Sequence, residues 1–230
     1  MIAERFKYTM LLASLPPHAP DLLSTTQTPV SRIQLDKRLA LLDARDAEDL
    51  QRIETLLHWS HVGMGTDEEI VRKSHEMLEL IDDDFLKNLI CWRLELRTLI
   101  SALRKRHAGM PAPEKNTFAG FGKWPFFIAR NWHEPDFGIA HLLPWLPQAR
   151  ELVAQNKSYE LEKLLLNLVW QHCAREGSQH YFDFPAVVIY VLRWNVINRW
   201  ANYNAANAIE RFDQLVDAEL QDFMLDFGRI

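Results

Sequence analysis

The sequence predicts an all-α protein, an irregular multi-helix bundle with at most a short strand near the N-terminus. Three observations predict this class. Hydrophobic residues make up 48% of the chain, and there are eight tryptophans but only eight glycines, which favours helices packed through bulky side chains over a turn-rich β-sandwich. Apolar residues recur at spacings of three and four, and Pro and Gly are concentrated between these segments. No strand-like alternation extends beyond the first few apolar residues.

The first part of the chain contains four predicted helices after a short apolar start. Residues 6–15 form a strand or a short helix, which ends at Pro16-Pro17. Ser31 with Gln34, and Thr66 with Glu69, have the spacing of a capping box, and the acidic residues 82–84 begin a long helix that ends in basic residues. The expected helices lie at about residues 31–42, 46–59, 66–80 and 82–107.

The second part of the chain begins after a loop rich in Pro and Gly. Residues 108–123 contain Pro111, Pro113 and three of the eight glycines, so this segment is the best candidate for a linker. Five helices are expected after it: at about residues 124–132, 137–146 and 158–173, within the apolar run 181–204, and at 204–227. We expect one helical domain over residues 1–230, with a subdivision into similar helical halves at 1–107 and 124–230 as the alternative.

The most apolar predicted helix is expected at the centre of the protein. Asp183 can cap it, and its apolar residues cover nearly the whole circumference. Its core stripe is expected to be almost wholly buried and comprises Val187, Val191, Trp194 and Ile197. Polar residues from Arg193 onward interrupt the run before it reaches the ~20 apolar residues that a membrane span needs.

The composition of the chain indicates which binding partners and which cellular compartment are expected. The net charge of −5 argues against nucleic-acid binding, because phosphate contacts need a basic surface. Cys91 and Cys173 lie in predicted helices and are interpreted as buried thiols in a reducing compartment. The apolar run near the N-terminus is short and no A-x-A site follows it, so we do not interpret it as a signal peptide. We expect a cytoplasmic protein with no membrane span, which is peripheral to the membrane only through a complex.

No sequence pattern indicates catalysis or metal binding. The chain has no phosphate-binding glycine loop, no G-x-S-x-G and no C-x-x-C. His58 and His61 are three residues apart, but no further ligands can be assigned to them. Cys173 follows His172 within a predicted helix rather than at a turn that would activate a thiol. We therefore predict no catalytic residue, no metal and no cofactor.

Two helical surfaces are candidates for binding another protein. The basic end of the long helix comprises Arg97, Arg104, Lys105 and Arg106. The apolar seam of the last predicted helix has acidic flanks and comprises Phe212, Val216, Leu220, Phe223 and Phe227. Each surface is also explained by a solvated or self-packed helix. We predict that one or both bind a partner protein.

An alternative site is an aromatic pocket around residues 124–145. This segment is rich in tryptophan and would make the protein a small helical enzyme or ligand-binding protein, in which the basic end near Arg104 binds an anionic substrate. Ordinary packing of short helices explains the same aromatic residues. The residues assigned to the pocket are Trp124, Arg130, Trp132, His133, His141 and Trp145.

Three segments resemble known families. The opening YTMLLASLP, residues 8–16, resembles the start of a bacterial family of unknown function whose members are encoded beside the genes of V/A-type ATPases. The helices LELRTLISALRKR (94–106) and VVIYVLRWNVINRW (187–200) resemble the E-x-x-Asn-Leu-Arg helices of the d-type central-stalk subunit of those rotary ATPases. That stalk protein is an all-helical stack of similar bundles, which joins the rotor shaft to the membrane ring without catalysis.

The resemblance implies a non-catalytic helical adaptor of a V/A-type ATPase, involved in ion transport through its partners, which would be other proteins of that ATPase. The chain is short for three bundles, and the Asn of the motif is not kept in either segment, which read Glu95-Leu96-Arg97 and Trp194-Asn195-Val196. We therefore expect a shortened, accessory or diverged relative of the d-type stalk protein.

Overall fold

The structure, a computed structural model, describes residues 5–57, 66–114 and 118–203. Eight of its helices are α1 (Thr9–Ala13), α2 (Arg32–Leu39), α3 (Ala44–Leu57), α4 (Asp67–Glu79), α5 (Asp84–His107), α6 (Trp124–Arg130), α7 (Leu146–Ala154) and α8 (Ser158–Glu176). A 3₁₀ turn, Gly177–Gln179, follows α8, and a further helix, α9, extends from 184 to 203. The described residues contain no strand, so the all-α prediction is confirmed and the N-terminal apolar run is a short helix.

The predicted helix starts are confirmed where side chains cap them. Thr66 and Glu69 form the reciprocal capping box at the start of α4. Asp83 accepts a hydrogen bond from the backbone N–H of Leu86 at the start of α5, at 2.9 Å. Asp183 accepts one from the backbone N–H of Ala186 in the first turn of α9, at 3.1 Å. These caps satisfy N–H groups that have no partner inside the helix.

The first hydrophobic core surrounds α9. Its predicted stripe is buried as expected: Val187 and Val191 are 0% exposed and Trp194 is 4% exposed. The indole N–H of Trp194 donates to the backbone carbonyl of Val30 at 2.7 Å, which ties the segment before α2 to the central helix. Residues from α1 to the first half of α5, and from the second half of α8, pack in the same core.

A second hydrophobic core lies against the other half of α5. It contains Leu99 to Leu103 of α5 together with α6, α7, the intervening turns and the start of α8. The helix α5 therefore runs through both cores, and the chain returns to the first core from residue 166 onward. The subdivision of the chain at residues 108–123 stays a prediction.

The prediction of a helix at 137–146 is wrong. Residues 131–143 form successive turns, and α7 begins only at Leu146. Phe137 and Gly138 have φ values of 52° and 70°, and this left-handed conformation cannot continue a right-handed helix. Phe137 is 0% exposed, so burial of its ring holds the backbone in this geometry.

The helix α2 is shorter than predicted, and some of the predicted residues lie outside the described part of the chain. The helix α2 ends at Leu39 rather than near residue 42, and the apolar residue Ile33 in its first turn is 71% exposed. His58, His61 and the predicted helix at 204–227 lie outside the described residues. Within the described ranges, no helix is both long enough and apolar enough to cross a membrane.

Candidate functional site

A central cavity of about 700 Å³ lies between α3, α5, α8 and α9. Its apolar wall includes Leu57, Leu89, Val169 and Leu192, and its aromatic wall is made by Trp92, Trp194 and Tyr203. Four charged residues line it, Arg32, Glu54, Arg93 and Arg199, together with the amides of Asn195, Asn198 and Asn202.

One side of the central cavity is an ordered polar network. The Arg32 guanidinium donates two hydrogen bonds to the Glu54 carboxylate, at 2.7 and 2.9 Å. Asn195, from the opposite wall, donates its Nδ2–H to Glu54 Oε1 at 2.9 Å. The hydrogen bonds to the Glu54 carboxylate, with a smaller contribution from Asp36, hold the pKa of Arg32 above its usual value. The guanidinium also lies 5.7 Å from the centre of the Trp194 ring.

Two further arginines, Arg93 and Arg199, line the cavity. Arg93 is 9% exposed, and burial lowers its pKa to about 10, so the side chain is still a cation at neutral pH. Arg199 donates a short hydrogen bond from Nε to the buried carboxylate of Glu162 on α8. The positive charges of Arg97 and Arg199 also lower the pKa of Arg93.

Burial shifts the pKa of Cys173, which lines the cavity, and of His172, which stacks on the Trp92 wall. Burial raises the pKa of the Cys173 thiol to about 11, so the thiol stays protonated and weakly nucleophilic at neutral pH. Burial also lowers the pKa of His172 to about 4, and its neutral ring stacks on Trp92 with centroids 3.5 Å apart. In the described part of the chain, no group of three or more His, Cys, Asp or Glu side chains could hold a metal ion.

The predicted basic end divides into internal and exposed side chains. Arg97 donates to the carbonyls of Leu56 and Leu57, the last residues of α3, at 2.9 and 3.3 Å. Arg106 donates to backbone carbonyls of the turns after α6, among them those of Glu134 and Pro135, and lies 4.5 Å over the ring of Phe137. These two arginines therefore join α5 to the end of α3 and to the turns after α6.

The remaining basic side chains lie nearer the solvent. Lys105 pairs with Asp67 at the start of α4, and Arg104 is exposed. Their contact with a partner stays a prediction. The apolar seam, Phe212, Val216, Leu220, Phe223 and Phe227, lies outside the described residues.

The residues of the predicted aromatic pocket lie in two different environments. Trp124 and Trp132 are buried in the second core, and the indole N–H of Trp124 donates to Glu95 at 2.8 Å. Arg130, His133 and His141 are exposed, and Trp145 is half-buried. The central cavity is lined by none of these six.

Sequence reasoning missed the residues that line the central cavity. Arg32, Glu54, Asn195 and Arg199 come from three helices and are brought together only by packing. Asn195 and Arg199 were visible as interruptions of the most apolar helix. A polar side chain on a helix that is buried on all sides needs a polar partner, and this is the signal that could have located the site.

Comparison with known proteins gives a family but no function. The chain matches the family described as "Protein of unknown function (DUF2764)" over residues 60–222. No curated protein and no solved structure matches it significantly. The matched residues make up more than half of the chain, which therefore belongs to the DUF2764 family.

Proposed function

We propose that this protein is a non-catalytic helical interaction protein that works within or beside a V/A-type rotary ATPase. Its central cavity receives an acidic, apolar segment of a partner protein. The single observation that carries the proposal is the composition of the cavity, which combines aromatic walls with three arginines.

The cavity has the residue types that dominate the energetics of protein interfaces. Trp, Tyr and Arg are enriched among the few residues that supply most of the affinity, above all where they form well-packed pockets. Three arginines, Arg32, Arg93 and Arg199, line the cavity, and of these Arg32 pairs with Glu54 and Arg199 with Glu162. A partner segment that inserts an apolar side chain next to an Asp or Glu would match both features.

The link to the ATPase is supported by where the resembling segments lie. Residues 187–200 belong to α9 and contribute a wall of the central cavity, and residues 94–106 continue α5 directly after Arg93, which also lines it. In this proposal Arg104 and the apolar seam provide further contacts with the partner. The protein acts in the cytoplasm and contributes to ion transport only through the assembly that it joins.

A filled cavity tests the proposal. Asn198 lines the cavity, and Asn198→Trp would occupy part of its volume. Asn88→Trp makes the same change on the exposed face of α5 and is the matched control. Wild type, Asn198→Trp and Asn88→Trp are immobilised, and their binding of purified V/A-type ATPase from the same host is measured.

We expect wild type and Asn88→Trp to bind the ATPase equally. Asn198→Trp should bind it roughly tenfold more weakly or worse, because losing one central contact of an interface has an effect of this size. All three proteins must first show the same helical circular dichroism and melting. An ATPase that fails to bind wild type refutes the link to the complex. Equal binding by all three refutes the cavity as the interface.

The volume of the cavity favours a second candidate function, the binding of a small anionic ligand. A volume of about 700 Å³ falls within the usual range for small-molecule sites. Native mass spectrometry of the protein purified from its host distinguishes the two functions. A small molecule that stays bound to wild type and Asn88→Trp, but not to Asn198→Trp, would favour the ligand over the partner protein.

A further inference from the structure

The helix α9 leads the chain to the wall of the central cavity. Asn198, Arg199, Asn202 and Tyr203 all line this cavity, and Tyr203 is the last residue that the structure describes. The residues that follow Tyr203 therefore begin at the cavity itself. One residue extends a chain by at most ~3.6 Å, so Phe212 lies within roughly 30 Å of Tyr203 along the chain. This distance allows the Phe212 side chain to reach any wall of the cavity.

The C-terminal segment, residues 204–227, is both acidic and apolar. It contains six acidic residues and one basic residue, Arg211, so its net charge of −5 equals that of the whole chain. Its apolar residues include the five residues of the apolar seam. The segment therefore has the two properties that the proposed function assigns to the partner's segment.

The charged groups of the cavity are accessible to such a segment. The side chains of Arg32 and Arg199 are 42% and 37% exposed, although they pair with Glu54 and Glu162. Arg32 donates three hydrogen bonds, to Glu54 and Asp36, whereas a guanidinium has five N–H donors. Arg32 can therefore donate to a further carboxylate without losing its present partners.

The aromatic walls are also only partly covered. Trp92 and Tyr203 are half-buried, and both line the cavity together with the apolar side chains of Leu57 and Leu192. An aromatic side chain inserted between these walls would remove apolar surface from water on both sides, which stabilises the bound state.

We propose that the C-terminal segment docks on the central cavity of its own chain. Phe212 inserts between the aromatic walls, and a carboxylate of the segment accepts a hydrogen bond from Arg32. The docked segment closes the cavity to a partner protein and acts as an intramolecular competitor. This consequence for partner binding rests on the proposed function, whereas the docking itself does not.

The covalent link through Tyr203 favours the chain's own segment over that of a second copy. A group joined to its site by a short flexible linker has an effective concentration in the millimolar range. The segment of a second copy is present only at the concentration of the protein. Intramolecular docking therefore predominates in micromolar solutions, and its extent does not change on dilution.

The test measures how accessible the cavity is in the full chain. Asn198→Cys places a thiol in the cavity, and Asn88→Cys places one on the exposed face of α5 as the control. Each is combined with Phe212→Ser, or with Gln214→Ser as the matched change in the same segment. The rate of alkylation at each introduced thiol is read by mass spectrometry of the labelled peptide, which separates it from the native cysteines.

We expect Phe212→Ser to raise the alkylation rate at position 198 roughly tenfold or more, because a buried aromatic anchor has an effect of this size. Gln214→Ser should leave this rate unchanged, and the rate at position 88 should be the same in all variants. All variants must first show the same helical circular dichroism and melting. If Asn198→Cys does not fold, the exposed cavity residue Asn202 is replaced by Cys instead.

Two results overturn the proposal. One is an alkylation rate at position 198 that Phe212→Ser leaves unchanged. The other is a rate that rises on dilution of a protein with the natural segment, because this would show docking by a second copy.

Cleavage by trypsin after Arg211 gives a second readout. Asn198→Trp occupies part of the cavity and should expel the segment, so cleavage should be faster than in wild type and in Asn88→Trp. Equal cleavage of the three proteins would contradict the docking. Neither assay contains the ATPase, so a failure of the docking is distinct from a failure of wild type to bind the ATPase.

Discussion

Replacing Trp194 tests the central role of α9. The side chain is 4% exposed, and its N–H donates to the carbonyl of Val30. Truncating a buried Trp to Ala costs roughly 3–5 kcal/mol of unfolding free energy, because packing is lost and a void remains. Trp194→Phe keeps most of the volume but leaves the Val30 carbonyl without this donor, at a cost of roughly 1–3 kcal/mol.

The assay is urea unfolding followed by far-ultraviolet circular dichroism, together with thermal melting. A loss of 3–5 kcal/mol corresponds to a decrease in Tm of roughly 6–20 °C for a chain of this length. Phe126→Ala is the matched control, because this ring on α6 is 46% exposed and its removal should change the free energy by about 0.5 kcal/mol or less. If Trp194→Ala destabilises the protein no more than Phe126→Ala does, α9 is not the centre of the core.

Three further predictions follow from single groups. Gly122→Ala should lower the unfolding free energy more than Gly109→Ala does. Both glycines have positive φ, but only a Cβ at position 122 would overlap the Glu95 carboxylate. Equal losses of unfolding free energy in urea would contradict this prediction. The unfolding free energy should decrease as pH falls from about 6.5 towards about 4, because the fold lowers the pKa of His172 and the unfolded chain binds more protons at this residue in that pH range. The variant His172→Gln should reduce this pH dependence. An unchanged slope of unfolding free energy against pH would contradict the assignment to His172. Cys173 is buried and its thiol has a raised pKa, so it should react with a thiol reagent at pH 8 only as fast as the protein unfolds. Labelling is measured by mass spectrometry. Rapid labelling of the folded protein would refute the burial of Cys173.

The candidate site could be predicted from the sequence only in part. Asn195 and Arg199 were recognisable as polar positions on an otherwise apolar helix. Their partners were not, because Glu54 is 141 residues from Asn195 and Glu162 is 37 residues from Arg199. The exposed basic end was predicted from charge alone, and charge does not reveal that Arg97 and Arg106 donate to carbonyls of distant segments.

The sequence by itself determined the helical class, the helix starts at Thr66, Asp83 and Asp183, and the buried stripe of α9. These features depend on interactions within about four residues, namely side-chain caps and the 3.6-residue period of apolar positions. Only the tertiary structure decided the turns at 131–143, where burial of the Phe137 ring outweighs helix propensity. It also decided the central cavity, because a cavity is the space that packed helices leave, and its lining comes from residues that are far apart in the chain.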